Sequence, residues 1–253
     1  MDLDLLFLVG AAFLAGLVDA VVGGGGLILI PALFVALPQT APATILGTNK
    51  FVAIFGTASA AHRYSVSIQV PWRAALPTAI AAFCCSYFGA MSAASMPKEQ
   101  FRPLVLVMLV VVVVYTFSRK DFGSIDQNRP HTAIETYWSL ILGAGIGFYD
   151  GFFGPGAGSF LLFLFIRCFG FDFLRASAAA KIVNVATNGA ALIYFSITGH
   201  VLWAVALVLA IFNIGGALLG SRLALRYGSG FVRRVFLGVV TVLIGKFGYD
   251  TIA

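Results

Sequence analysis

Apolar runs about as long as a bilayer is thick follow one another along this chain with little polar sequence between them. Runs at 3–22, 43–62, 70–96, 103–118, 136–153, 173–197, 201–221 and 235–249 approach the about 20 residues a helix needs to cross the hydrocarbon. In lipid every backbone N–H and C=O must be satisfied internally, which leaves helices as the spanning element for runs of this kind. Composition agrees: 60% of residues are apolar and 10% charged, against about 25% charged in a soluble domain. The mean hydropathy is +0.98. Water cannot be the solvent for most of such a surface, so soluble enzymes, nucleic-acid binders and disordered chains are excluded. The expectation is an all-α polytopic membrane protein whose first partner is the lipid bilayer.

The net charge of +6 would point to nucleic acid in a soluble chain. Here the basic residues fall mostly in short gaps between apolar runs, where they set orientation, and no nucleic-acid partner is expected. The beginning, Met1-Asp2-Leu3-Asp4, lacks the basic region of a cleavable signal peptide, so the first run is expected to be retained. Cys84, Cys85 and Cys168 sit in apolar surroundings and read as small packing residues. His62, His131 and His200 have no nearby Cys or second His. No metal, cofactor or catalytic constellation is expected, and the chain does not read as an enzyme.

The halves repeat. Gly16 and Gly147, Asp19 and Asp150, Gly23 and Gly154, and Gly25 and Gly156 are each 131 positions apart. So are Lys50 and Lys181, Trp72 and Trp203, Gly89 and Gly220, and Arg102 and Arg233. Rare residues recurring at one offset without a gap mark an internal duplication. The division is a first transmembrane repeat over 1–118, a linker at 119–135 and a second repeat over 136–253. Trp72 and Trp203 read as interfacial anchors, Arg102 and Arg233 as residues snorkelling at helix ends, and Gly89 and Gly220 as small residues that let helices pack closely.

Two apolar runs, 27–37 and 159–169, are half the usual length. If they cross, each half has five crossings and the second half is inverted relative to the first. Alternate gaps then collect Arg63, Arg73, Arg119, Lys120, Arg129, Arg167, Arg175, Arg222, Arg226, Arg233 and Arg234 on one side, and Lys98, Arg102 and Lys246 on the other. If they re-enter, the split is nearly even. The positive-inside rule favours two inverted five-segment repeats, with both ends outside and 119–135 in the cytoplasm, although eleven residues of helix span only about 16 Å.

Each short run follows a glycine cluster: Gly23, Gly24, Gly25 and Gly26 before the first, and Gly154, Gly156 and Gly158 around Pro155 and Ala157 before the second. Paired, glycine-interrupted short segments in corresponding positions are the sequence pointer to a transporter's binding site. A helix broken inside lipid strands backbone groups that must line a cavity or find partners, and bare N–H groups at a helix start suit an anion. Close helix packing is the competing reading of the same glycines. No Gly-Lys-Ser/Thr follows them, so they are not a nucleotide loop.

Lys50 and Lys181 lie within apolar segments at equivalent places. A buried ammonium in a bilayer is a functional candidate by default, and snorkelling is the alternative. Asn49 adjoins Lys50, while Asn184 and Asn188 follow Lys181 at i+3 and i+7, on one helical face. Asp19 and Asp150 precede their glycine clusters. They are candidates either for proton coupling or for a structural role on the broken backbone or beside a lysine. If each pairs with the lysine of its own half, the empty cavity is near neutral and an arriving anion competes for the ammonium groups.

The stretch from Gly16 through Asp19 and Gly23 to Pro31, its partner from Gly147 through Asp150 and Gly154 to Phe160, and the motifs Gly47-Thr48-Asn49-Lys50 and Ala180-Lys181-Ile182-Val183-Asn184 resemble the sulfite exporter TauE/SafE family over nearly the whole chain. The resemblance implies a multi-pass permease of the bacterial cytoplasmic membrane for small sulfur-containing anions such as sulfite or organosulfonates. With the residues above, the expectation is a secondary transporter working by alternating access of the two repeats. A passive anion channel and a non-transporting accessory subunit are the other readings. A homo-oligomer is compatible with the sequence.

Overall fold

The structure, a computed structural model, describes residues 2–96 and 133–252. The run 103–118, Lys98, Arg102, His131 and most of the 119–135 linker lie outside the described residues. Among the described residues every regular element is helical: α1 (Asp2–Val22), α2 (Gly26–Ala36), α3 (Pro42–Ser67), α4 (Trp72–Ala94), α5 (Ala133–Phe152), α6 (Ala157–Phe169), α7 (Phe173–Ile197) and α8 (Trp203–Ile252). α8 is two helices end to end, joined at Gly228 (φ 71°, ψ −170°). The starts of α1 and α5, α2 and α6, α3 and α7, and α4 and α8 are each separated by 131 residues, the offset of the sequence repeat.

Four of these helices contain a stretch long and apolar enough to cross a membrane: Asp4–Val22, Trp72–Ala94, Phe173–Ile197 and Trp203–Gly228. α3 has the length, at 26 residues, but Asn49, Lys50, His62 and Arg63 lower its hydropathy. The boundaries follow local chemistry. α3 starts on Pro42, whose missing N–H costs nothing at a helix start. Asp172 caps α7 by accepting the Arg175 backbone N–H at 2.8 Å, which satisfies an otherwise orphaned donor.

Helices in lipid gain little from hiding apolar surface from one another, so close backbone approach through small residues has to hold them. On α5, Gly143, Gly147 and Gly151 meet Thr78, Ala82 and Ser86 of α4 turn for turn; a Cβ added to these glycines would fall 2.7, 2.4 and 1.9 Å from α4 backbone oxygens. α1 packs on α8 in the same way, Gly16 against Asn213 and Ala217, and Gly216 and Gly220 against Phe13 and Leu17. Gly89 and Gly220 act as packing residues: a Cβ there would lie 2.2 Å from the Phe148 carbonyl and 2.4 Å from the Leu17 carbonyl. Trp72 and Trp203 are half exposed at helix starts. The cysteines differ from expectation. Cys84 and Cys168 are exposed, so they face outward from the bundle rather than packing within it.

These contacts also fix relative directions. α1 and α8 run parallel, as do α4 and α5, because contacting residue numbers rise together in both pairs. α3 runs parallel to α8: Phe51 packs on Trp203, with ring centroids 5.3 Å apart, and Gly56 meets Asn213. The equivalent helices α3 and α7 run antiparallel, with Gly47 against Phe195 and Gly189 against Ile54.

Candidate functional site

α1 ends where Gly23 takes φ +80°, and the chain between α5 and α6 carries φ +94° at Gly154 and +78° at Gly156, a region that only glycine enters readily. The two interruptions touch each other. A Cβ on Gly23 would lie 2.4 Å from the Gly158 carbonyl carbon. The Ser159 backbone N–H donates to the Gly23 carbonyl at 3.1 Å, and its hydroxyl to the Val22 carbonyl at 2.9 Å. The preceding carbonyls of α1 are met from two further helices, Ala20 by the Tyr64 hydroxyl at 3.0 Å and Val21 by the Ser177 hydroxyl at 3.3 Å. In the other half, the Tyr149 hydroxyl donates to the Pro155 carbonyl at 2.6 Å. Buried carbonyls left by an interrupted helix need partners of this kind.

The first-turn amides are less free than the glycine pattern suggests. Leu27 and Ile28 donate to the Gly24 and Gly25 carbonyls, Ala157 to Gly154 and Ser159 to Gly23. Gly25 donates to the Asp19 carboxylate at 3.4 Å. The interruptions therefore bond largely to themselves and to each other.

Between them lies a cavity of about 30 Å³ lined by Asp19, Gly23, Gly26, Asn49, Lys50, Ala53, Asp150, Gly154, Gly158, Asn184 and Asn188, enough for a water or two. Ten of the fourteen expected site residues thus share one wall. Gly24, Gly25, Gly156 and Lys181 lie outside it. Gly25 and Gly156 are the N-caps of α2 and α6, and Lys181 stands behind Asp19.

Both lysines are almost wholly buried, at 1% exposure each, and both are paired. Lys50 Nζ lies 2.6 Å from Asp150 Oδ1, and Lys181 Nζ 3.4 Å from Asp19 Oδ2. The pairs cross between the halves, so the own-half pairing that the sequence left open does not occur. The cause is the packing. α7 faces the end of α1, where Ser177 reaches Val21 and Lys181, one turn on, reaches Asp19; Lys50 reaches the other interruption, 3.1 Å from where a Gly154 Cβ would be. A buried charge without a partner is costly, and here the partner arrives from the opposite repeat.

Two threonines complete the carboxylate shells. Thr57 donates to Asp19 Oδ2 at 3.0 Å and Thr187 to Asp150 Oδ2. Sequence reasoning missed both, along with Tyr64, Ser159 and Ser177. One signal was there: Thr57 occupies the place of Asn188 at the 131-residue offset. The amides are the least committed polar groups. Asn184 Oδ1 is buried without a hydrogen-bond partner, and the Asn49 and Asn188 side chains make no hydrogen bond to protein among the described residues. Such groups are open to water or to a cargo. No cluster of metal-ligating residues occurs among the described residues.

Bilayer-length apolar helices closed around charged and amide side chains define a multi-pass membrane protein of the transporter class. The chain belongs to the sulfite exporter TauE/SafE family, whose model matches residues 8–247. It is 35% identical to the probable membrane transporter protein ORF9 of Sinorhizobium sp over 94% of this chain and 90% of that protein. It is also 35% identical to the probable membrane transporter protein YfcA of Escherichia coli K12 over 98% and 90%. A probable membrane transporter protein of Haemophilus influenzae is 32% identical over 98% and 95%. No solved structure matches the chain.

Proposed function

We propose that this protein is a secondary transporter for a small anion, in the class of sulfite, organosulfonates and related sulfur oxyanions, working in a bacterial cytoplasmic membrane by alternating access. One observation carries the reading: a small polar cavity where the two helix interruptions meet, held by lysine–carboxylate pairs that each join one repeat to the other. Charge buried in pairs between halves is the arrangement expected of a site whose halves move against each other. The small volume supports a carrier over an open pore; a sulfur oxyanion needs the cavity to widen, which separating the halves would do.

The membrane arrangement belongs to the same proposal. With α1 and α3 both parallel to α8, α2 and its flanking turns must return the chain across the bundle. α5, parallel to α4, then runs opposite to α1. This supports five crossings per half and an inverted second repeat, with domains at 1–118 and 136–253 about a cytoplasmic 119–135 linker. The antiparallel meeting of α3 and α7 supports a two-fold axis in the membrane plane.

In the proposed cycle, cargo oxygens are received by the Asn49, Asn184 and Asn188 amides and by backbone N–H groups at Gly23–Gly26, Gly154, Gly156 and Gly158. Lys50 and Lys181 provide countercharge. A monovalent anion entering a site with two ammonium and two carboxylate groups leaves one excess negative charge, and a proton on Asp19 or Asp150 would cancel it. Proteoliposomes holding the purified chain should accumulate labelled sulfite or a labelled alkylsulfonate, and the double variant K50A/K181A should not. Undiminished uptake by that variant would refute the site.

A further inference from the structure

A second cavity lies away from the central one, where the last turns of α3 meet α8. It measures about 370 Å³ and is lined by His62, Arg63, Val66, Ser67 and Leu225, a volume in the range of small-molecule sites. Its chemistry divides in two. Arg63 is half-buried; among the described residues it pairs with no carboxylate and no acidic side chain lines the cavity. Beyond the lining itself, the exposed Arg222 and Arg226 flank Leu225 along α8, and Arg226 rests on the ring of Tyr227, 5.6 Å from its centroid. The other wall is apolar: Val66 is 75% exposed, with Leu225 opposite.

A free anion would use the guanidinium groups and leave that apolar wall in water. An anionic phospholipid uses both, its phosphate among the basic groups and its glycerol and first methylenes on Val66 and Leu225. Basic pockets between helices at a membrane boundary take anionic headgroups in this way, and an exposed tyrosine beside an arginine fits the headgroup level. We infer that this groove is a binding site for one anionic phospholipid, bridging the end of α3 to α8. It is independent of the cargo proposed for the central cavity.

The test uses the full chain in a neutral detergent with three probes: phosphatidylglycerol, phosphatidylcholine and inorganic phosphate. Native mass spectrometry should retain one phosphatidylglycerol per chain, and thermal melting should rise with that lipid alone. R63A should lose both effects and R63K should keep part of the shift. V66W, which fills the groove from an exposed position, should lose lipid retention with the charges intact. Equal effects of phosphatidylglycerol and phosphatidylcholine would overturn the assignment, as would full retention by R63A or V66W. Stabilisation by inorganic phosphate matching that of phosphatidylglycerol would also overturn it, because the occupant would then be a free anion.

Discussion

The two lysine–carboxylate pairs use residues related by the same 131-residue offset, yet the protein holds them differently. Lys50 and Asp150 are in tight contact at 2.6 Å, with side chains 2% and 5% exposed, and Thr187 closes the remaining carboxylate oxygen. Lys181 and Asp19 stand 3.4 Å apart, and the Asp19 side chain is 18% exposed. Asp19 also spreads its bonds over Thr57 and the Gly25 backbone N–H. A sealed pair resists separation because each desolvated charge depends on the other, whereas a looser, wetter pair loses less when it opens. The difference is one of access: the Asp150 corner is sealed, and the Asp19 corner is the more open of the two.

Breaking the sealed corner should have the largest effect. Lys50→Met leaves Asp150 buried with only Thr187, and loss of one partner of a buried pair costs about 3–5 kcal/mol. Lys181→Met should cost distinctly less, since Asp19 keeps two other donors and some solvent. Thermal melting of the purified variants checks this, and equal destabilisation would remove the distinction. The double variant K50M/D150N should regain most of the stability lost by K50M while remaining inactive in uptake.

Next come the touching interruptions. Gly158→Ala would drive a Cβ to 2.6 Å from Gly23 Cα and from Asn184 Nδ2. Gly23→Ala adds a left-handed backbone, itself worth about 1–2 kcal/mol for a non-glycine residue. Gly24→Ala meets nothing nearer than 3.5 Å and should stay within about 0.5 kcal/mol of the parent. Measuring the three side by side separates glycines required by geometry from one that merely shares the cluster. A G24A as damaging as G158A would show that the cluster acts through flexibility rather than contact.

The coupling proposal carries the contrast from stability to transport. Asp19→Asn should retain exchange of labelled for unlabelled sulfite across proteoliposomes while losing accumulation driven by an imposed pH gradient. Asp150→Asn should lose both, because the sealed pair goes with it. Gradient-driven accumulation persisting in D19N would move the proton to another group.

Much of this was legible in the sequence, for reasons that can be named. Apolar length and scarce charge dictate membrane helices, and the 131-residue offset locates every described helix start in the second half from the first. Lys50, Asn49, Asn184 and Asn188 stood out because polar groups in apolar runs are expensive. What stayed hidden was pairing. Which lysine meets which carboxylate depends on α7 crossing the end of α1, a tertiary fact with no periodicity to betray it. Thr187 and Ser177 were invisible, and Thr57 showed only through its place opposite Asn188, because a hydroxyl in a helix ordinarily bonds its own backbone, as Thr78 does to Ala74 at 2.8 Å. The local bonding of the first-turn amides was likewise unreadable, since it depends on the φ angles the glycines adopt.

The smallest stability effect is expected at Asn188, and it tests the site most directly. The side chain is buried at 6% exposure on the cavity wall and makes no hydrogen bond to protein among the described residues, so Asn188→Ala removes no protein contact of that kind. Melting should shift by no more than about 0.5 kcal/mol. If the amide serves the cargo, the concentration for half-maximal uptake should rise about tenfold, the equivalent of about 1.4 kcal/mol of lost binding, with the maximal rate little changed. The equivalent position in the first repeat is Thr57, which already serves Asp19; Thr57→Val should instead weaken the pH-gradient dependence and leave half-saturation nearer the parent. Opposite signatures at two positions related by the duplication would establish that the repeats have diverged into a cargo side and a coupling side, and identical signatures would return them to symmetric duty.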